Sequence, residues 1–206
     1  MENPSPSIRR GALHRHVLSA NSREQPTAKP GDVKILDVNK DGKIDPTDRT
    51  IIGSLQPSYI GGMTNTLKFH GVTVSAFVQT VQGVTRQNVL RGSNQVNANV
   101  SRNTVYNDYW SVTNPINTYP ANSNTSNPLG VSFYEDASFV RLKDVSVSYE
   151  LPASILTRLH VESARLYLNG RNLWTKTKWT GMDPELSSQR AVPLERSWTT
   201  GLSVRY

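Results

Sequence analysis

The densest chemistry in the chain lies in one acidic stretch, Asp37-Val38-Asn39-Lys40-Asp41-Gly42-Lys43-Ile44-Asp45-Pro46-Thr47-Asp48. Read as a calcium loop, it places side-chain oxygens at its first, third and fifth positions: Asp37, Asn39 and Asp41. Gly42 supplies the sharp turn, Lys43 a backbone carbonyl, and Asp45 and Asp48 the ninth and twelfth positions. Calcium is held by about six to eight oxygens in a flexible cage, and this spacing offers them within one turn-rich segment. Ile44 is expected to anchor the loop inward. Asp48 stands where the helix–loop–helix template has a bidentate Glu. The alternative is an acidic Asx-turn loop without metal. Calcium is favoured because carboxylates this close repel one another unless a cation is present, and its expected role is to pin a loop, not to catalyse.

Little else could do chemistry. The chain has no cysteine, which removes thiolate nucleophiles, zinc ribbons and disulfide frameworks. Its histidines, His14, His16, His70 and His160, fall in the N-terminal tail, in a turn and beside a short helix. Asp183 and Glu185 could imitate a glycosidase pair, but both lie in one loop, whereas such carboxylates face each other across about 5–9 Å. An enzyme is not expected. The balance is basic, with net charge +7 and pI near 9.8, yet Lys and Arg are scattered with no stripe of stacking aromatics, so nucleic acid is not the expected partner.

The elements that must position these residues are strands. Trp198, Thr200, Leu202, Val204 and Tyr206 alternate with Thr199, Gly201, Ser203 and Arg205, which gives one apolar and one small or polar face. The aromatics at its ends are roughly 20 Å apart in height after a ~40° tilt, close to the ~25 Å apolar band of an outer-membrane barrel. Tyr59, Met63, Leu67 and Phe69 share one parity; so do Phe139, Val145, Val147 and Tyr149. Both sets carry aromatics ten residues apart. A soluble core has no reason to keep that separation, and a bilayer has one. The chain is only 36% hydrophobic with a mean hydropathy of −0.49, but such averages are blind to barrels, whose lumen-facing residues dilute them.

Along the chain, residues 1–30 read as a disordered or non-homologous segment rich in Pro, Ser, Arg and His, without the pattern of a secretory signal. A hairpin follows, with strands near 58–69 and 72–82 joined at His70-Gly71. The segment 83–136 is a long irregular loop, in which Tyr106, Tyr109 and Trp110 suggest a packed element or contact surface. A strand near 138–150, a short helix at 153–159, a strand near 164–174 and a loop at 175–192 lead to the last strand. Short connections alternate with long ones, as in barrels with brief periplasmic turns and extended outer loops. The expected fold is all-β: antiparallel up-and-down strands forming the C-terminal part of a large transmembrane β-barrel. It is incomplete, because five strands cannot close and an open sheet in lipid leaves its edges unsatisfied.

Several blocks carry a family resemblance. Residues 31–45 and 48–53 (Gly31-Asp32 through Ile51-Ile52-Gly53), 137–152 (Ala137 through Leu151-Pro152), 166–174 (Leu166-Tyr-Leu-Asn-Gly-Arg-Asn-Leu-Trp174), 178–185 (Lys178-Trp-Thr-Gly-Met-Asp-Pro-Glu185) and the final strand occur in one order. Together they resemble the late part of SusC/RagA-type TonB-linked outer-membrane receptors. The resemblance covers about residues 25–206. It implies a 22-stranded barrel with a plug in its lumen, driven by TonB, partnered by a SusD-type surface lipoprotein, and importing glycans or peptides. The plug and most strands are not in this chain, so the expectation is a truncated segment, inactive alone, of an outer-membrane protein. The alternative is a secreted carbohydrate-binding module whose calcium loop is similar to those of dockerin modules, with Trp110, Trp174, Trp179 and Trp198 stacking on sugar.

Overall fold

The computed structural model describes residues 7–11, 13–17, 25–88, 109–116, 120–121, 133–186 and 191–206. In chain order the described strands are β1 (Ser7–Gly11), β2 (Leu13–Val17), β3 (Val33–Ile35), β4 (Arg49–Ser54), β5 (Tyr59–Phe69), β6 (Val72–Gln82), β7 (Thr85–Gln87), β8 (Tyr134–Asp136), β9 (Phe139–Glu150), β10 (Ser163–Thr177) and β11 (Ser197–Arg205). A helix, α1 (Ala153–Leu159), sits between β9 and β10, and a 3-10 turn spans Pro46–Asp48.

The main sheet has the order β11-β10-β9-β6-β5, with every neighbouring pair antiparallel. Each long strand lies beside the next long strand in sequence, which is the up-and-down pattern expected. His70 (φ 45°) and Gly71 (φ 80°) close the first hairpin. Both residues have positive φ, so the turn is of the type whose twist matches the strands it joins. At the same end, Pro152 precedes α1, which stops where His160 turns left-handed (φ 54°) and its amide bonds to the Leu156 and Thr157 carbonyls. The backbone stays tied across these turns, with Glu150 N–H donating to the Gly71 carbonyl (2.9 Å) and Glu162 N–H to that of Arg205 (2.8 Å).

Within the N-terminal segment, residues 7–11 and 13–17 are strands. Its backbone forms β1, paired with β4, and β2, paired with β3. Each short strand finds an edge whose amides and carbonyls need partners, and Leu13 and Val17 fall in register with Ile35 and Val33. Residues 25–35 are packed as well: Gln25 is buried, accepting from Ile35 N–H (2.8 Å) and donating to the Val33 carbonyl (3.1 Å).

The long stretch 83–136 is not wholly irregular. Its ends pair as β7 and β8. Trp110 and Ala121 crowd the place a side chain would occupy at Gly31, whose φ is +97°, and the Ala121 amide bonds to the Gly31 carbonyl at 2.8 Å. Tyr106 lies outside the described residues.

Candidate functional site

Register across the sheet sorts the side chains into two faces, because directly opposed residues in paired strands share a face. Phe69, Val72, Tyr149, Leu166 and Leu202 form one continuous row over all five strands, and Leu67, Val74, Val147, Leu168 and Thr200 form the next. On the other face, Thr66, Ser75, Ser146, Asn169 and Thr199 form an equally continuous polar row, with Thr66 and Ser75 hydroxyls 3.0 Å apart. The apolar face is not covered by the described residues: Phe69 is 75% exposed, Leu67 68%, Leu202 59% and Trp198 63%. A contiguous apolar surface this broad marks contact with lipid or protein. No described helix is long and apolar enough to cross a membrane, which says nothing about strands.

Phe139 corrects one expectation. Sequence parity groups it with Val145, Val147 and Tyr149, but it lies on the polar face and is 3% exposed. Between Phe77 and Val78 of β6, the facing stretch of β9 runs from Asp144 to Leu142, so Lys143 is an extra residue. A bulge of one residue reverses the parity of everything beyond it. Above Lys143, Leu142 and Val140 join the apolar face opposite Val78 and Thr80, while Arg141 and Phe139 turn inward. The aromatics on the apolar face at the long-connection end are therefore Tyr59, Trp174 and Trp198, each more than half exposed.

What the bulge turns inward is a cluster of ion pairs joining Arg141 and Lys143 to Asp183 and Glu185. Arg141 is 2% exposed. Its Nη2 bonds to Asp183 Oδ1 at 2.7 Å and its Nη1 to Glu185 Oε2 at 3.0 Å, while Lys143 Nζ reaches both Glu185 oxygens at 2.7 and 2.9 Å. The guanidinium also lies 5.2 Å from the centre of the Phe139 ring. Asp183 and Glu185 are thus engaged by cations and do not face each other across a cleft. Beside them Trp179, 7% exposed, packs with Val84, Ala137 and Val81, and Gly181 leaves room for its ring. Glu135 accepts from the Thr180 hydroxyl (2.7 Å) and amide (3.2 Å), and Arg86 donates to the Leu186 carbonyl. Sequence reading missed Arg141, Glu135 and Arg86 as anchors of this loop; only the density of charge in 178–185 hinted at it.

The acidic loop is folded around its own amides. Asp37 accepts from Lys40 N–H (2.7 Å) and Gly42 N–H (2.8 Å), Asn39 from Asp41 N–H (3.0 Å), and Asp41 from Lys43 N–H (2.9 Å). Asp45 caps the 3-10 turn, accepting from the Thr47 hydroxyl and amide, which lower its pKa below the ordinary carboxylate range. Asp48 is buried. It accepts from Asp45 N–H (2.9 Å) and Val38 N–H (2.8 Å), and the Asp45 amide bond leads the causes that hold its pKa down. All the side-chain donors are oxygens suited to a hard cation. Among the described residues, however, no three Asp, Glu, His or Cys side chains gather round one point. The repulsion that sequence alone implies is met here by backbone N–H groups.

The four tryptophans are dispersed: Trp179 in the apolar cluster, Trp174 and Trp198 on the apolar face, Trp110 against Gly31. They form no shared stacking platform.

A staggered up-and-down sheet, apolar on one side and polar on the other, with short turns at one end and long connections at the other, is a section of β-barrel wall. Comparison with known proteins agrees. The chain is 30% identical over 193 residues to TonB-dependent receptor P3 and 31% identical over 194 residues to TonB-dependent receptor P26, both of Formosa agariphila. These matches cover 86% and 85% of the chain but only 19% and 20% of the relatives, so the chain spans about a fifth of their length. Its fold matches structures of the RagAB peptide transporter (TM-score 0.66, 21% identity) and of the RagAB peptide importer in the open-open state (TM-score 0.65, 22% identity). Those matches cover 97% and 98% of the chain and 23% and 22% of the solved chains. No family model matches. Over most of its length the chain is similar to about a fifth of a TonB-dependent receptor, and its fold matches part of the RagAB transporter chain.

Proposed function

We propose that these residues form part of the wall and outer loops of a TonB-dependent receptor that lies in the outer membrane and imports a nutrient such as a peptide or glycan. Transport would require the rest of the barrel, a plug through which TonB acts, and a SusD-type surface lipoprotein over the mouth, so the segment alone would not transport. The observation that carries this reading is the pair of uninterrupted rows across five strands, one apolar and exposed, one polar. Lipid on one side and a wet lumen on the other explain both; a secreted sugar-binding module would cover its apolar face with a second sheet. The test is made in the intact receptor. Leu202→Arg, on the apolar face, should lower folding stability by about 2–4 kcal/mol near the bilayer midplane, and Ser203→Arg by far less. Equal losses in a lipid-folding titration would remove the two-faced wall.

Calcium at 37–48 is part of the same proposal. Asp37, Asn39, Asp41, Asp45 and the Lys43 carbonyl would supply oxygens, in support of which stands the spacing around Gly42. Asp48, already engaged with the amides of residues 38 and 45, would hold the loop closed.

A further inference from the structure

Residues 178–186 lie over the polar face at the long-connection end and are held by several kinds of interaction: Trp179 in an apolar cluster, Thr180 on Glu135, the Leu186 carbonyl on Arg86, and Asp183 with Glu185 on Arg141 and Lys143. Resting on the barrel reading above, we propose that Arg141 positions this segment as a fixed strap in the mouth of the barrel, so that 178–186 stays in place while other loops admit substrate.

The roles of the two cations differ. Arg141 offers a rigid fork, and its two terminal nitrogens reach different carboxylates from a nearly sealed position. A planar guanidinium does this from two nitrogens held in one fixed plane, whereas an ammonium must bridge from a single nitrogen. Asp183 also organises the loop internally, with Oδ1 accepting from Glu185 N–H (2.9 Å) and Oδ2 from Leu194 N–H (3.4 Å). Arg141 therefore grips a loop already shaped by Asp183 and joins it to β9. Lifting the strap would take both carboxylates from the buried Arg141 guanidinium, which disfavours opening. Lys143 is more exposed, and Glu185 keeps Arg141 when Lys143 is lost. The bulge at Lys143 turns Arg141 to this side, so the strap's anchor and the reversed strand parity have one cause.

The test is amide hydrogen exchange on the intact receptor in lipid. Arg141→Met should speed exchange at Glu185, Leu186 and Leu194 at least about tenfold and leave the β10–β11 ladder unchanged. Arg141→Lys should not rescue it, and Lys143→Met should change it less than about threefold. If Arg141→Met does not assemble, Asp183→Asn with Glu185→Gln cuts the same bonds from the loop side and should give the same loosening. Fast exchange of 183–186 in the unaltered receptor, no change in either variant, or equal effects of Arg141→Met and Lys143→Met would each overturn the strap. Those results would leave the wall standing, since it is judged by Leu202 and Ser203.

Discussion

Asp41 and Asp48 share a loop but differ in what surrounds them. Asp48 is buried and ties the two ends of the loop through the amides of Val38 and Asp45, whereas Asp41 is exposed and accepts from Lys43 N–H within the tip. If the loop takes calcium, Asp41 is the carboxylate most readily turned to it. Asp41→Ala should then weaken calcium binding by about tenfold or more, since affinity in such loops follows ligand charge. Calorimetry on the intact receptor is the appropriate measurement, and identical titrations for the two proteins would show that the carboxylates serve only the backbone. The template in the sequence shows which residues share the loop. Which amides those oxygens meet depends on how the loop folds back on itself, which spacing does not encode.

At the scale of elements, most strand boundaries were legible because alternation and turn chemistry are local. The hairpin closes at His70-Gly71, α1 spans Ala153–Leu159 as expected, and β9 and β11 begin and end within a residue or two of their periodic runs. The bulge was not legible. One extra residue in β9 shows only against β6, and a strand read by itself has nothing to count against. Its consequence can be measured. Continuous alternation from Tyr149 would put Leu142 on the polar face and Arg141 on the apolar face, whereas the observed register does the reverse. Leu142→Arg should therefore cost about as much as a charge on any lipid-facing site at its depth, up to roughly 2–4 kcal/mol, and Ser146→Arg should cost little. Equal tolerance of the two would mean that β9 runs without its bulge in the membrane.

At the scale of the whole molecule, the main sheet has two borders with no partner strand among the described residues, the outer sides of β5 and β11. Open edges template association, and in lipid each unsatisfied backbone group costs several kcal/mol. The apolar rows are also uncovered, and the described buried hydrophobics are few and gathered near the loops. Expressed alone, these 206 residues should aggregate or need detergent or denaturant to stay dissolved. A monomer with a sharp cooperative melt in plain buffer, seen by calorimetry and sedimentation, would refute that. It would require a closed core of its own, which an open two-faced sheet does not have.

By itself the sequence determined the strands, their turns and the two-sided character of most of them, because period-two alternation is a local property written in every strand. It also marked the acidic loop, through spacing within a dozen residues. Tertiary structure alone decided that Phe139 and Arg141 face inward, that the N-terminal segment pairs with β3 and β4, and that Asp183 and Glu185 close on Arg141 from about forty residues away. Each of these depends on which backbone lies opposite which. That is set by register between distant segments, and no single segment carries it.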